Sequence, residues 1–371
     1  MHVLVTTDTW SGVWSYTREL VSGLVSRGLQ VTLVSFGEIP LPEQTRWIDS
    51  LHGLTYHPTA FRLEWMQDGE ADYRDSSEFL LALIRETEPD ILHFNQFCYG
   101  SLPVDIPRVV AAHGDLVTWW LSVHGHEPRP TRWLERYRNR VATGLARTTS
   151  LVAASRWMLD LVEYSYGYVP GGKVIHHGRN PIFFNPYASK EESVLAVGRM
   201  LDPGKQVHLL THHQHALPVC IVGEAGMMPP RVPIRADVKV ATGDLQVALK
   251  GPQTDAQLRL LYSRATIFAA TPRYDPFGMS ALEAALSRCA IIANDVPGFR
   301  EIWGDDALYF EANSAESLAT VIRELAADRD VCRGYANRAY QRARDRYNHK
   351  RMVDEYLALY RTLTESSRAA A

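Results

Sequence analysis

Apolar and polar positions along this chain fall into a repeated two-part pattern. Short apolar runs rich in β-branched residues occupy positions 2–7, 30–36, 90–94, 108–113, 150–155 and 173–177. Stretches with helical spacing, such as 15–27 and 78–86, lie between most of them. A second set of runs follows at 193–198, 218–223, 247–251, 266–271 and 290–294, with helical stretches at 255–263 and 279–287. Strand–helix alternation of this kind predicts parallel, doubly wound sheets, whose ligands bind beyond the carboxyl ends of the strands. Two successive sets predict two Rossmann-like α/β domains facing across a cleft. The expected division is residues 1–185, then 186–345, then a final segment 346–371 within a helix read over 344–363 that crosses back to the first domain. The polar stretch 186–192 reads as the crossing between the two domains.

Length and composition agree with this picture. A chain of 371 residues has room for about two domains, and 46% apolar residues suffice for real cores. A net charge of −3 gives no general attraction to nucleic acid. The first apolar run reaches Asp8 at once, unlike a secretory leader, and no run approaches the roughly 20 apolar residues of a membrane span. Cys98, Cys220, Cys289 and Cys332 are widely spaced and suggest neither a disulfide framework nor a zinc site, so a cytoplasmic location is expected.

The stretch with the most chemistry is Arg273-Tyr-Asp-Pro-Phe-Gly-Met-Ser-Ala-Leu-Glu283. It joins the run 265–271 to a predicted helix. Asp275 lies in the loop and Glu283 about one turn into the helix. Backbone amides near Phe277, Gly278, Met279 and Ser280 would lack helical partners, which makes an anion site, and Glu283 can accept hydrogen bonds from vicinal hydroxyls such as those of a ribose. A capped helix with a surface Glu explains the same eleven residues. Upstream, Gly198-Arg199 and then Lys205 follow a strand end. Arg offers a planar fork to phosphate and Lys a compact charge.

Other candidates are scattered through the chain. Gly12, in the loop Asp8-Thr-Trp-Ser-Gly-Val-Trp14, would let backbone approach a ligand closely. His113 and His93 end apolar runs; His113 reads equally as a ligand-facing group or as an ordinary loop residue, and His93 more as the latter. Trp119, Trp120, His124, His126 and Trp133 gather in one expected loop, either as flat faces for a sugar or an aromatic acceptor or as a local plug. His124 and His126 have no third metal ligand nearby in sequence. The segment 131–147 is an amphipathic helix with Arg132, Arg136 and Arg140 in a stripe opposed only by Glu135. It reads as a solvated face, or as a contact for an anionic acceptor or an acidic membrane surface. Asp328 and Asp330 lie between helical stretches and read as capping residues.

The stretch around Asp275 resembles the carboxylate–seven residues–carboxylate signature of retaining, family-4 glycosyltransferases of the GT-B fold. That signature usually has Glu before Pro-Phe-Gly; this chain has Asp275, one methylene shorter. The resemblance extends to Gly198-Arg199…Lys205, with Gln206 where the family has Gly, and to the strand into Gly178, with His177 where Asn is usual. It also takes in Gly12, with Ser11 where a first glycine is usual, and Val296-Pro-Gly-Phe-Arg-Glu301. It implies a nucleoside-diphosphate sugar as donor, transfer of a hexosyl group with retention, and no metal or other cofactor. Arg199, Lys205, Phe277, Gly278 and Met279 would meet the donor phosphates, Glu283 the ribose, Asp275 and His113 the sugar, and the strand ends at Glu224 and Lys250 the base. Trp119, Trp120 and His124 would face an unnamed acceptor. Family members with lipid acceptors add an expectation of peripheral membrane contact through Arg132, Arg136 and Arg140. The rival readings are a nucleotide-sugar epimerase or hydrolase on the same scaffold and a non-catalytic binder.

Overall fold

The computed structural model describes residues 1–9, 12–169, 171–224 and 247–370. Among these described residues thirteen strands form two sheets, with every pairing parallel. The first sheet has the order β3-β2-β1-β4-β5-β6-β7. Its strands are β1 His2–Asp8, β2 Gln30–Phe36, β3 Leu54–Pro58, β4 Ile91–Phe94, β5 Arg108–Ala112, β6 Ser150–Ala153 and β7 Lys173–Val174. The second has the order β10-β9-β8-β11-β12-β13. Its strands are β8 Glu191–Val197, β9 Val219–Val222, β10 Val247–Lys250, β11 Ala265–Ala270, β12 Ala290–Asn294 and β13 Leu308–Phe310.

Both sheets therefore wind outward from a central pair. In the first sheet the order reverses between β1 and β4; in the second it reverses between β8 and β11. Neighbouring connections leave in opposite directions at such a point, which opens a crevice at the carboxyl edge. The central strands have the near-continuous apolar runs that burial on both faces demands, as in the wholly buried Ala290–Asn294.

Contacts divide the chain into two units. One comprises Met1–Thr118, Glu127–Gly178 and His349–Ala371; the other comprises Trp119–His126 and Arg179–Asn348. The core of the first holds Val3, Val5, Leu20, Val31, Leu33 and Ile91 together with Met352, Val353, Tyr356 and Tyr360 from the last helix. That helix, His349–Ala370, lies on Gly12–Val25 closely enough that a methyl on Gly23 would collide with Val353, and Arg27 pairs with Asp354 at 2.6 Å. The core of the second unit holds Val194, Ile221, Ile267, Ile292, Phe310, Leu318 and Ile322.

Several elements differ from the sequence reading. The edge strands β3 and β13 lack the long apolar run of their neighbours, with burial only partial along Leu54–Pro58 and Leu308–Phe310. The region around Trp119 and Trp120 is a helix, Leu116–His124, rather than a loop. The tail is two helices, Arg329–Arg346 and His349–Ala370, rather than one. Tyr347 breaks it: its buried hydroxyl donates to the Ile302 carbonyl at 2.7 Å, and its backbone leaves the helical region at φ −123°, ψ 34°. Asp328 caps the first of these two helices by accepting from the Asp330 and Val331 amides, both at 3.0 Å. Among the described residues no helix is long and apolar enough to cross a membrane.

Candidate functional site

The reversal point of the second sheet brings together the loop after β8 and the loop after β11. The first loop carries Arg199, Asp202 and Lys205. Asp202, 2% exposed, accepts from the Gly204 amide at 2.8 Å and from Arg199 Nη2 at 2.5 Å. The second loop carries Arg273, Tyr274 and Asp275. The Gly204 carbonyl accepts from the amides of Arg273 (2.9 Å) and Tyr274 (3.4 Å), and the Thr271 hydroxyl donates to the Lys205 carbonyl at 2.7 Å. The two loops are thus laced by backbone bonds before any side-chain charge is considered.

Lys205 Nζ then reaches Asp275 Oδ2 at 2.8 Å. Asp275 Oδ1 accepts from the Gly278 amide at 2.7 Å and the Phe277 amide at 3.3 Å. Burial raises the Asp275 pKa, but the Lys205 charge and these hydrogen bonds outweigh it and hold the carboxyl below its ordinary range. Gly278, in the left-handed region at φ +83°, leads into the helix Met279–Leu286. The amides from Met279 onward remain the first-turn donors without intrahelical partners.

A second ion pair lies deeper. Arg179 Nη2 meets Glu283 Oε1 at 2.8 Å, with side chains 4% and 11% exposed. The Arg179 amide donates to the Tyr347 carbonyl at 3.0 Å, which ties this pair to the break in the tail. A buried pair of this kind is expensive to split, since either partner alone would be an uncompensated charge. Beside these groups, Gln206 adopts φ +49°. With its amide turned to satisfy both neighbours, it donates to Asn313 Oδ1 at 2.7 Å and accepts from Arg273 Nε at 2.6 Å. The left-handed backbone accounts for a glycine being usual there, and the side-chain bonds give this Gln its own anchorage.

In the first unit, a hydrogen-bonded chain runs through three histidines. The Asn95 amide nitrogen donates to the Thr6 carbonyl at 2.6 Å, so its oxygen faces the imidazoles. That oxygen lies 2.7 Å from His113 Nε2 and 3.2 Å from His93 Nε2, which makes both nitrogens donors. His113 Nδ1 is then an acceptor from His177 Nε2 at 3.1 Å, and His93 Nδ1 accepts from the Tyr360 hydroxyl at 2.5 Å. Burial lowers the His113 pKa well below the usual histidine value, with His177 and His93 adding to the effect. Burial brings His93 down to about 4, against a smaller opposing contribution from Asn95. Both rings are neutral at pH 7.

Comparison with known proteins agrees with the architecture. The profile described as "Glycosyltransferase Family 4" matches residues 10–181, and "Glycosyl transferases group 1" matches residues 182–344. The chain belongs to glycosyltransferase family 4. This family-4 chain is 27% identical over 299 residues to an alpha-maltose-1-phosphate synthase of Mycolicibacterium smegmatis, covering 71% of the chain and 75% of the relative. It is 23% identical to the phosphatidyl-myo-inositol mannosyltransferase of the same organism, covering 96% and 92%. Among solved structures, sucrose-phosphate synthase from Thermosynechococcus elongatus superposes with a TM-score of 0.78 at 16% identity, over 99% of this chain and 100% of that one. Anabaena HepE, solved in complex with UDP-glucose, gives 0.72 at 13% identity over 98% and 100%. The fold is GT-B.

In the glycosyltransferase several of the residues expected at the site have protein partners. Asp275, expected to reach the sugar, has both oxygens engaged by Lys205 and the turn. The Phe277 and Gly278 amides, expected to meet phosphate, serve Asp275, and the Phe277 ring is core packing against Tyr347 at 5.3 Å. Glu283, expected at the ribose, is paired with Arg179. His113 has each ring nitrogen beside a protein partner.

The remaining candidates divide by place. Trp119, 8% exposed, lies with its indole edge on Gly204, where an added methyl would stand 2.5 Å from Nε1; it floors the Lys205 loop and is not an open aromatic face. The Trp120 and His124 rings lie 4.3 Å apart, tilted by 41°, and His124 is exposed. Glu224 and Lys250 are exposed at the ends of neighbouring strands, joined by a bond from the Gly223 amide to the Lys250 carbonyl at 3.1 Å. Gly12 is exposed at the start of its helix, while Ser11 lies outside the described residues. The arginine stripe is opposed by more than Glu135: Glu70 pairs with both Arg136 and Arg140, and Arg140 lies over the Tyr73 ring at 4.4 Å; Arg132 is exposed. Sequence reasoning missed Arg179, Asp202, Asn95 and the role of Gln206. Only Gln206 left a signal, as a non-glycine where a glycine is usual.

Proposed function

We propose that this glycosyltransferase moves a hexosyl group from a nucleoside-diphosphate sugar to an acceptor hydroxyl with retention of configuration and without a metal. The observation that carries the reading is the convergence of Arg199, Lys205 and the start of Met279–Leu286 at the reversal point of the second sheet. The binding of UDP-glucose by HepE, a protein of the same fold, supports a nucleotide-sugar donor.

On this reading the anomeric C–O bond breaks and its electron pair leaves on the diphosphate. Arg199, Lys205 and the helix amides from Met279 stabilise that developing charge. The acceptor oxygen attacks from the same face, and its proton passes to the departing phosphate oxygen. Glu283, oriented by Arg179, is the ribose-side carboxylate.

The test is a calorimetric panel of uridine, guanosine and adenosine diphosphates, followed by turnover of the matching sugar donor with and without sugar, lipid and small-molecule acceptors. NMR of the glycoside reports its anomeric configuration. Arg199→Ala should lower donor efficiency roughly 10- to 150-fold, the value of about 1.5–3 kcal/mol for a charge-assisted contact. Wild-type efficiency in that variant removes Arg199 from the site. Inversion at the anomeric carbon overturns the retaining mechanism.

A further inference from the structure

We infer that Arg179 is a positioning residue that acts through Glu283 and makes this chain select a ribonucleotide over its 2′-deoxy counterpart. The inference deepens the function proposed above and rests on it. Its starting point is the buried pair, with Arg179 Nη2 at 2.8 Å from Glu283 Oε1 and side chains 4% and 11% exposed.

Arg179 is held at both ends of its side chain. At the base, its amide donates to the Tyr347 carbonyl at 3.0 Å, and its backbone forms an isolated parallel bridge with Asn348. Tyr347 is itself anchored: its hydroxyl donates to the Ile302 carbonyl at 2.7 Å, and its ring lies 5.3 Å from that of Phe277 at 87°. At the tip, the guanidinium carbon lies 5.5 Å from the centre of the Phe184 ring. Glu283 is held as firmly, since it sits in the helix Met279–Leu286 where Ala281 through Leu286 are all buried.

The pair fixes the chemistry of the carboxylate. A carboxylate this buried loses most of its hydration and drifts toward the neutral acid unless a charge compensates. As an acid it would donate from one oxygen, whereas the vicinal hydroxyls of a ribose need acceptors. Arg179 keeps its proton at any ordinary pH and so keeps Glu283 ionised. An ionised carboxylate has about four lone-pair sites, and one guanidinium contact on Oε1 does not use them up. Burial, with the neighbouring Glu283 carboxylate, pushes the Tyr262 phenol well above its ordinary range, so a neutral hydroxyl and not a second anion lies beside it.

Positioning and mere structural support separate in one ratio. Calorimetry with whichever of the three nucleoside diphosphates binds, and with its 2′-deoxy form, measures the preference for ribose. The wild type should prefer the ribose form by about 10-fold or more, the value of one hydrogen bond to a charged group. Arg179→Met should weaken the ribose form until the two affinities agree to within about twofold. Arg179→Lys, which returns the charge, should recover part of the preference. In a Glu283→Gln background, adding Arg179→Met should leave the ratio unchanged to within about twofold. Should Arg179→Met alone fail to fold, that double variant decides, because it leaves no buried charge unpaired. A preference that survives Arg179→Met, with both affinities falling together or the ribose form binding more tightly, overturns the inference. So does a ratio that Arg179→Met changes further in the Glu283→Gln background, or a wild type indifferent to the 2′-hydroxyl. A wild type that binds none of the three diphosphates overturns the proposed function, and the inference with it.

Discussion

The histidine chain shows how much one amide can settle. Asn95 is fixed by the Thr6 carbonyl, and that assigns the tautomers of His113 and His93 in turn. Buried neutral imidazoles also make stability depend on pH, with a sign that follows from linkage. The folded-state pKa of His93 is about 4 against 6.5 for the free group, so the unfolded chain binds more protons between those values. The contribution is complete above pH 6.5 and is lost as pH falls toward 4. His113 shifts in the same direction. From His93 alone, urea denaturation should show stability lower by about 2 kcal/mol at pH 5 than at pH 7.5. His93→Gln keeps a donor and an acceptor but does not titrate, and should flatten this slope; an unchanged slope would mean that His93 is not the titrating group. The apolar run 90–94 led to His93 being read as an ordinary strand end, because no local pattern reports a partner such as Tyr360, which lies 267 positions away.

At the scale of elements, the amphipathic helix read over 131–147 appears as Arg132–Arg147 with Leu134, Tyr137, Val141 and Leu145 buried. What periodicity left out is how closely that helix approaches its neighbour. Gly144 lies against the Phe97 carbonyl, and Gly100 lies against Gly144, so the helix and the 3₁₀ turn Phe97–Ser101 touch backbone to backbone. Replacing a mid-helix glycine by alanine ordinarily stabilises by up to about 1 kcal/mol. Here Gly144→Ala should instead destabilise by about 1–3 kcal/mol, since the new methyl meets a carbonyl that cannot rotate away. Chemical denaturation gives the sign directly, and a stabilised variant would show that the contact relaxes without strain. The break at Tyr347 belongs to the same scale: the apolar positions around it fit one continuous helix, and the bonds of its hydroxyl to Ile302 and of its carbonyl to the Arg179 amide come from outside that pattern.

For the whole molecule, both sheets follow the order of a dinucleotide-binding fold, and in the second the phosphate-binding candidates collect where that order reverses. The proposed metal-free chemistry makes a prediction at this scale. On that proposal Arg199, Lys205 and the helix start would offset the diphosphate charge without help, so EDTA should leave donor turnover largely intact. Complete loss, restored by magnesium or manganese, would require a different account of the leaving group. Sequence alone determined the parallel α/β class, the family and the loops that carry the cations, because strand–helix periodicity and short motifs are local. Only the tertiary structure decided what each charge faces. Asp275 and Lys205 are 70 positions apart, and Arg179 and Glu283 meet only because their segments pack together. Partners of buried charges depend on which segments desolvate them together, and that becomes defined only when the chain has folded.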